Sequence, residues 1–563
     1  MDKELFAKRI NALLLIFVLM GGIIGYRLLK KQVFEHGEYL AKAESQYIVK
    51  KDIPAKRGVI YSSDMYPLAT NMQTFQIIVT PRQVSQKSET ASKLANALGM
   101  EEKDIFDRIN NNKYYIPPLK KKLSEQEGQK IADLKLKGIL VMPESIRFYP
   151  EKQMASQLLG FVDASGDGRY GFEGYYNDEL KGVIGEVHGQ KDTRGRIFDI
   201  DAKSDPQNGS DFVLTIDRNI QMQVEDVLAR AVEGFKADSG SVVINEPKTG
   251  KILAMANFPT YDPNEYNKVA KDDQGFFNNA TVNDAWEPGS VFKPLIMAAA
   301  INENLIEPET EKVFGSSVRV DNYEIRTSTK EAYGRETMTQ VLENSDNVAM
   351  VWISELLGKE KMYKYLRDFG FGRKSGIELS TESTGTVTDY KKWSESQRAT
   401  VSFGQGITTT PLQILSAIGA IANKGVLMQP YLVHKKINFD KKEEVRQPKE
   451  VARVLTEDTS IKVADMMVSV VENGHGKRAG VKGYRVAGKT GTAQVTAPGG
   501  GYYKDRHIGS FVGFAPAENP RFAMLVRLNN PKNVDWAESS AAPTFGEIAK
   551  WLLDYFQVAP TEN

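Results

Sequence analysis

Cysteine is absent from the 563 residues of this chain. Disulfides, thiolate metal sites and cysteine nucleophiles are therefore excluded, while the redox compartment stays open. Histidine is scarce, and no two of its residues have the spacing of metal ligands; they are His36, His188, His434, His475 and His507. None of them stands in a nucleophile elbow. If the chain performs serine chemistry, its base is not expected to be histidine.

Charge of one sign is not in excess, because 73 basic residues balance 72 acidic ones. With no long block of like charges, there is no electrostatic reason to expect a nucleic-acid partner. Hydrophobic residues make up 41% of the chain, enough to bury sizeable cores. At this length the chain is expected to fold as two or three units.

One long apolar run lies near the start of the chain, from Ile10 to Tyr26. Its length is at the lower limit for a membrane span, and flanking side chains extend it by snorkelling. A cleavable signal peptide is the alternative, but the run is long for one and no A-x-A-like cleavage site follows. We therefore predict a cytoplasmic tail at residues 1–9 and an uncleaved anchor at residues 10–29. The bulk of the chain is then expected outside the cell membrane, which the chain crosses once.

The remainder divides near residue 209, where the composition changes. Residues 30–209 show no catalytic pattern and are expected to form an elongated, β-rich, non-catalytic module. Beyond them the patterns predict a strand, a helix opening after Asp217 and a β-hairpin, at residues 212–216, 220–233 and 241–256. Helices are expected onward to about residue 371.

The last third of the chain predicts further strands at residues 485–494, 511–514 and 522–528. A closing helix is expected to present one apolar face formed by Phe545, Ile548, Leu552 and Tyr555. This order predicts an α/β sandwich over residues 210–557, with helices packed on an antiparallel sheet and a short tail at 558–563. The whole chain is therefore expected to be an α+β multidomain protein with a single N-terminal transmembrane helix.

The stretch around Ser290 carries the first chemical signal. Pro288-Gly289 predicts a turn, and the apolar run that follows predicts a buried helix, so Ser290 would lie at a helix N-terminus. Lys293 would then lie on the same face, one turn further on. A serine needs a base to become a nucleophile, and a buried amine near other cations loses its proton easily. Taken alone, however, the stretch favours a serine N-cap beside a surface lysine.

Two later motifs overturn that interpretation. Ser345-Asp346-Asn347 and Lys489-Thr490-Gly491-Thr492 follow Ser290-Val291-Phe292-Lys293 in the order found in serine β-lactamases and penicillin-binding proteins. Ser290 would attack a carbonyl and Lys293 would accept its proton. Ser345 can relay a proton toward a leaving amine, and Asn347 can hold a substrate amide.

The third motif completes the predicted site. The charge of Lys489 would lower the pKa of Lys293. Thr490 and Thr492 can hydrogen-bond a substrate carboxylate, and Gly491 would leave a strand edge open to a peptide backbone. The backbone N–H groups of Ser290 and Thr492 would form an oxyanion hole.

A K-T-G triplet is weak by itself, since Lys248-Thr249-Gly250 is a second copy. That copy lies between the two strands of the predicted hairpin and is expected to be only a turn. Lys489 is preferred because it follows both serine motifs.

The chain resembles the class B penicillin-binding proteins, monofunctional D,D-transpeptidases that cross-link peptidoglycan. The resemblance covers nearly the whole chain, and its motifs beyond the three above are Arg57-Gly58-Val59-Ile60-Tyr61, Arg147-Phe148-Tyr149-Pro150, Gly171-Phe172-Glu173-Gly174, Pro259-Thr260-Tyr261-Asp262-Pro263-Asn264, Gly404-Gln405-Gly406, Thr410-Pro411-Leu412-Gln413 and Ser510-Phe511-Val512-Gly513-Phe514. It departs from the family at Tyr61-Ser62-Ser63-Asp64, usually D-R-x-G, and at Ser345-Asp346-Asn347, more often S-S-N.

The resemblance implies a dimerisation-type pedestal domain at residues 30–209 and a transpeptidase domain at 210–557. It implies acyl transfer through Ser290 between peptidoglycan stem peptides, in cell division or elongation, with acylation by β-lactams and no metal or organic cofactor. It also implies a membrane glycosyltransferase of the SEDS type, and other division or elongation proteins, as partners.

Two alternatives remain open. A non-catalytic β-lactam sensor or scaffold in the cell envelope is the first, although such a protein would not need Lys293 and Lys489. A secreted β-lactamase is the second, and it would need a carboxylate that activates water. Glu378 and Glu382 are the nearest carboxylates in the relevant window, and both are expected on the surface.

Overall fold

The computed structural model describes residues 3–39, 48–191, 197–269, 271–496 and 501–561. The chain divides into two compact units, residues 1–56 with 182–208 and residues 57–181 with 209–563. The first unit contains the helix Lys3–Leu29, continued by a π-helical turn at Lys30–Phe34. Among the described residues it is the one helix long and apolar enough to cross a membrane, as the sequence predicted.

The same unit contains a three-stranded antiparallel sheet. Its strands are, in spatial order, Ile48–Ile53, Gly185–Lys191 and Ile197–Ser204. Strands distant in sequence thus meet here, because the chain leaves this unit after residue 56 and returns at residue 182.

The second unit begins with a six-stranded mixed sheet. Its order is Glu443–Val445, Val433–Ile437, Asp211–Leu214, Ile60–Tyr61, Pro67–Val79 and Ile139–Phe148. Three helices pack near its long strands and enclose a separate apolar core; they are Lys87–Leu98, Glu102–Ile109 and Glu125–Asp133. This sheet crosses the boundary predicted near residue 209, and the domain limits given above stay a prediction.

Three of the sequence motifs meet in one buried ion-pair cluster. Glu173, fully buried, accepts hydrogen bonds from Arg57 Nε at 2.7 Å and Arg147 Nε at 2.6 Å. The hydroxyl of Tyr149 donates to the same carboxylate at 3.3 Å, and the amide of Asn264 contacts both backbone polar groups of Tyr149. Two arginines on one carboxylate satisfy a charge that burial would otherwise penalise.

We expect Glu173→Gln to destabilise this part of the protein by about 3–5 kcal/mol, because it leaves two buried arginines without their counter-charge. Urea unfolding of the detergent-solubilised chain measures the effect. Glu89→Gln is the matched control, since Glu89 pairs with Lys93 on an exposed helix surface and such pairs contribute little. Equal midpoints for Glu173→Gln and the native chain would contradict the role given to the cluster.

The catalytic sheet has five antiparallel strands. Their order is Ile252–Phe258, Ser239–Asn245, Phe522–Asn529, Tyr502–Ala515 and Ala487–Thr496, which confirms the predicted strands. Ala487–Thr496 is therefore an edge strand. One face is covered by the helices Arg218–Gly234 and Ala541–Tyr555 and the other by Lys293–Asn302, Pro411–Ala422 and Glu457–Glu472.

Local signals account for the ends of these helices. Asp217 caps Arg218–Gly234 by accepting from the backbone N–H groups of Asn219 and Ile220, as predicted. Thr410 and Gln413 form a capping box on Pro411–Ala422, a helix that is buried on all sides. In the closing helix Phe545, Ile548 and Leu552 are buried, but Tyr555 is exposed, so the predicted apolar face is one residue shorter.

The prediction of helices up to residue 371 is wrong between residues 311 and 337. Two antiparallel strand pairs occupy this segment. Ser317–Val320 and Tyr323–Arg326 form a hairpin, and Glu311–Phe314 pairs with Gly334–Thr337 on either side of it in sequence. Most of their residues are exposed, so the segment lacks the apolar stripe that marks either a helix or a half-buried strand. A long helix, Asn347–Asp368, begins at the last residue of the second motif. Further short helices are Ser156–Leu159, Gly171–Tyr175, Asn177–Lys181, Ala280–Asn283, Met338–Glu343 and Glu395–Val401. Two further strand pairs are Phe161–Val162 with Gly168–Arg169 and Val426–Met428 with Glu450–Arg453.

Candidate active site

Ser290 lies in a 3₁₀ turn, Gly289–Phe292, that runs directly into the helix Lys293–Asn302. The turn is held from one side by the backbone of Gly404, whose carbonyl accepts a hydrogen bond from Gly289 at 3.1 Å. A Cβ at position 404 would lie 2.4 Å from the Gly289 carbonyl oxygen, so only glycine permits this approach. The structure confirms that Ser290 lies at the start of a buried helix.

Lys293 is fully buried, which excludes the surface lysine that the stretch alone had favoured. Its Nζ donates hydrogen bonds to the Ser345 carbonyl at 2.5 Å and to Asn347 Oδ1 at 2.7 Å. The Ser345 hydroxyl lies 3.1 Å away. Asn347 is fixed from its other end as well, because its Nδ2 donates to the Arg326 carbonyl at 3.2 Å.

The Ser345 hydroxyl lies between two lysine amines. Lys293 Nζ is 3.1 Å from its Oγ and Lys489 Nζ is 3.0 Å from the same atom. Ser345 also has φ near +56°, a conformation that costs a non-glycine residue energy and is concentrated at functional sites. A hydrogen-bonded path therefore joins the first and third motifs through the Ser345 hydroxyl of the second.

Burial changes the pKa of both lysines. The pKa of Lys293 falls well below its usual value, first because the side chain is desolvated and then because Lys489 is near, while Asp346 opposes the shift. Desolvation lowers the pKa of Lys489 to about 7. The predicted effect of Lys489 on Lys293 is thus present, but burial is the larger cause. A neutral amine at Lys293 can accept a proton at neutral pH.

These groups meet at a cleft of about 340 Å³ beside the edge strand Ala487–Thr496. Five of the residues predicted for the site line it, namely Ser290, Ser345, Asn347, Thr490 and Thr492. Lys293 and Lys489 lie behind them, both fully buried. Across the part of the chain that the structure describes, no group of three His, Asp or Glu side chains is placed to hold a metal ion.

The cleft is also lined by residues that the sequence did not single out. His475, Trp536 and Glu538 line it, and His475 Nδ1 is 2.8 Å from Glu538 Oε2. The turn that carries Trp536 and Glu538 is tied to the edge strand, because the Ala537 N–H donates to Thr492 Oγ1 at 3.2 Å. His475 lies in a loop without any local motif, so only the tertiary structure reveals its position.

Gly491 is also required for packing. A Cβ at this position would lie 2.8 Å from both Ser510 Oγ and Val291 Cγ1. Glycine therefore lets the edge strand pack directly against the turn that carries Ser290.

The second K-T-G copy is a turn, as predicted. Lys248-Thr249-Gly250 joins the strands Ser239–Asn245 and Ile252–Phe258, and Lys248 is exposed, with its Nζ 2.6 Å from Asn519 Oδ1. Identical triplets thus have opposite environments in this protein.

The prediction of surface positions for Glu378 and Glu382 is wrong for Glu378. Its side chain is 3% exposed, forms an ion pair with Arg446 and accepts from the Leu432 N–H at 2.8 Å. Glu382 accepts hydrogen bonds from the backbone and hydroxyl of Ser375. Neither residue lines the cleft.

Comparisons with known proteins agree with this architecture. A family profile described as the penicillin-binding protein transpeptidase domain matches residues 240–550, and one described as the penicillin-binding protein dimerisation domain matches residues 52–214. Stage V sporulation protein D of Bacillus subtilis is 35% identical over 98% of this chain and 86% of its own length. The peptidoglycan D,D-transpeptidase FtsI of Escherichia coli is 31% identical over 94% of this chain and 88% of its own.

The fold has close counterparts among solved structures. Penicillin-binding protein 3 of Mycobacterium tuberculosis, in complex with aztreonam, superposes with a TM-score of 0.72 at 28% identity and covers 91% of this chain and 98% of that one. The transpeptidase profile alone covers more than half of the chain. With its dimerisation and transpeptidase domains in this order, the chain belongs to the class B penicillin-binding proteins, the membrane-anchored transpeptidases of cell-wall synthesis.

Proposed function

We propose that this protein is a peptidoglycan D,D-transpeptidase that cross-links stem peptides through an acyl-enzyme on Ser290. The observation that carries the proposal is the Ser345 hydroxyl, held between the buried amines of Lys293 and Lys489 in the cleft that Ser290 lines. A neutral amine can take up the proton of a serine nucleophile, and a hydroxyl between two amines can pass a proton.

Acylation is the first step. Ser290 Oγ attacks the carbonyl of the penultimate D-alanine of a stem pentapeptide while Lys293 takes the hydroxyl proton. The bond to the terminal D-alanine breaks, and the proton passes through Ser345 to the leaving amine. The products are an ester on Ser290 and free D-alanine, so atoms and charge balance.

Deacylation reverses these roles. An amino group of a second stem peptide attacks the ester and forms the new amide, and its proton returns to Ser290 Oγ through the same lysine and serine. β-Lactams acylate Ser290 in the manner of the first step, and their ring-opened product still occupies the cleft.

Substrate binding is assigned to the edge strand Ala487–Thr496 and to Asn347. An extended peptide can add to a free strand edge by backbone hydrogen bonds. Thr490 and Thr492, whose side chains line the cleft, would hold the terminal carboxylate, and Asn347 would hold a backbone amide. The predicted oxyanion hole uses the backbone N–H groups of Ser290 and Thr492.

The transfer reaction itself tests the proposal. The full chain in detergent is incubated with a peptide ending in D-Ala-D-Ala and an amine acceptor, and mass spectrometry follows the donor. We expect a product that has lost one alanine and gained the acceptor, and prior treatment with penicillin should prevent it. A chain that never forms this product, although it folds, would be the non-catalytic scaffold.

A penicillin chase separates the remaining alternative. The native chain is labelled with a fluorescent penicillin. An excess of unlabelled drug is then added to block relabelling, and the fluorescence that remains on the protein is followed over time. A transpeptidase keeps the label through the chase, because its acyl-enzyme awaits an amine acceptor. Loss within seconds would indicate β-lactamase chemistry and would contradict the proposal.

The orientation of the anchor and the partners extend the proposal. We assign residues 1–9 to the cytoplasm and the domains after the anchor to the outside, where peptidoglycan is made, and we expect a SEDS-type glycosyltransferase as partner. The absence of cysteine makes orientation directly testable. In intact cells, a membrane-impermeant maleimide should label Ser88→Cys, in the exposed face of the helix Lys87–Leu98, but not Glu4→Cys. The reverse pattern would contradict this topology.

A further inference from the structure

A buried glutamate lies on an element that carries none of the three motifs. Glu336 belongs to the strand Gly334–Thr337 and is 2% exposed. Its Oε1 accepts a hydrogen bond from Asn344 Nδ2 at 2.9 Å, while its Oε2 is buried with no hydrogen-bond donor. A buried carboxylate oxygen without a partner is costly, which calls for a physical explanation.

The side chain next to Glu336 has the same deficit. Asp346, the middle residue of the second motif, is fully buried and caps the helix Asn347–Asp368, its Oδ1 accepting from the N–H groups of Val348 at 2.6 Å and Ala349 at 3.3 Å. Its Oδ2 is also buried with no donor. After burial, Asp346 is the strongest influence that raises the pKa of Glu336, so the two carboxyl groups are close neighbours.

One shared proton satisfies both unpaired oxygens. Two adjacent buried carboxylates cannot both be ionised without a large electrostatic cost. Asp346 already accepts hydrogen bonds from two backbone N–H groups at the positive end of a helix, so the shared proton is better placed on Glu336. Glu336 therefore carries the proton, and its O–H donates a hydrogen bond to Asp346. Burial together with Asp346 raises the pKa of Glu336 to about 7.

We propose that Glu336, as a neutral acid, is a positioning residue that fixes Asp346 and so maintains the single negative charge beside the catalytic lysine. The residues on either side of Asp346 are the two that Lys293 Nζ contacts, Ser345 and Asn347. A rotation of Asp346 would therefore move the carbonyl and the amide that hold the amine. A second negative charge at this point would favour the ammonium form of Lys293, which cannot accept a proton.

Two other charged residues lie near Glu336. Glu343, from the helix Met338–Glu343, adds to the rise in its pKa. Lys312 lies opposite Glu336 in the paired strand, but its Nζ sits over the ring of Trp352, 4.6 Å from the ring centroid. The proton on Glu336 thus depends chiefly on burial and on Asp346.

Two substitutions test the proposal through acylation by a fluorescent penicillin, an arm that rests on the proposed function. Glu336→Gln keeps a neutral donor of the same shape and should leave the second-order rate constant at pH 6 within about threefold of native. Glu336→Met removes the donor, leaves Asp346 Oδ2 unpaired and should lower that rate constant by about tenfold or more. Equal losses in both variants, or no loss in Glu336→Met, would overturn the proposal.

The pH dependence of stability provides an arm that does not need enzymatic activity. Glu336 is ionised above pH 4.5 in the unfolded chain but only above about pH 7 in the folded one, so the native protein loses stability as the pH rises between these values. Glu336→Gln has no such loss. Its unfolding midpoint should exceed the native one by a difference that grows from pH 5 to about pH 7.5 and then levels off.

A constant difference across this range would mean that Glu336 exchanges no proton and would overturn the proposal, whatever the labelling shows. If Glu336→Met does not fold, the comparison of Glu336→Gln with the native chain still decides it. Failure of the native chain to react with penicillin would instead count against the proposed function and leave this second arm intact.

Discussion

Ser290→Ala is expected to abolish covalent labelling of the protein by a fluorescent penicillin. The substitution removes one oxygen and keeps the Cβ, so the turn Gly289–Phe292 and the packing of the helix behind it should persist. Without the hydroxyl no ester can form, and loss of a nucleophile that acts with its base as a unit lowers turnover by about 10⁶-fold in other serine enzymes. Gel fluorescence after labelling to completion measures the result.

The control is an alanine substitution at a serine outside the cleft. Ser88 is exposed in the helix Lys87–Leu98, and the Ser88→Ala variant should be labelled to the same extent as the native chain. Thermal unfolding of Ser290→Ala should match the native curve, because a half-buried hydroxyl at the cleft contributes little to stability. Label retained by a folded Ser290→Ala variant would move the nucleophile to another hydroxyl in the cleft, with Ser345 the first to examine.

Local patterns predicted those parts of the site that depend on neighbours in sequence. The turn and apolar run around Ser290, the helix after Asp217 and the turn at Lys248 all result from short-range chemistry, and the structure agrees with each. The order of the three motifs was also informative. Lys293, Ser345 and Lys489 are far apart in sequence, and the fold brings them together as the motif order predicted.

Contacts between distant charged residues could not be predicted. Glu173 is 116 residues from Arg57, and nothing near either residue indicates that both are buried together. Glu378 looked like a surface residue for the same reason, since only the fold reveals Arg446 beside it. A charged residue is buried when a partner compensates its desolvation, and that partner can lie anywhere in the chain.

No sequence pattern indicated that His475 and Glu538 line the cleft or that Glu336 is buried. His475 and Glu538 are brought together across 63 residues by a loop and a 3₁₀ turn, neither of which has a periodic signal. Glu336 lies in one of the strand pairs of a segment that was expected to be helical, so its proximity to Asp346 is revealed only by the structure. Burial of acidic groups near a lysine pair is a property of the assembled site.

Lys293→Met should lower the rate constant of acylation by penicillin by about 10²–10⁴-fold, the usual contribution of a general base. Methionine is unbranched and of similar length, so it can fill the buried space while removing the amine that contacts both Ser345 and Asn347. Stopped-flow or gel measurement of the rate against drug concentration gives the second-order constant. The same change at Lys248, the exposed lysine of the second K-T-G copy, should leave that constant unchanged.

A fall in rate has meaning only if Lys293→Met is folded. Burial opposes the charged form of Lys293, so its removal eliminates a desolvation cost that offsets the three hydrogen bonds lost, and the unfolding midpoint should stay near the native value. A folded variant that reacts at nearly the native rate would contradict the role of Lys293 as base. The proton would then have to pass to another base near Ser345, and Lys489, whose Nζ lies 3.0 Å from the Ser345 hydroxyl, is the first to examine.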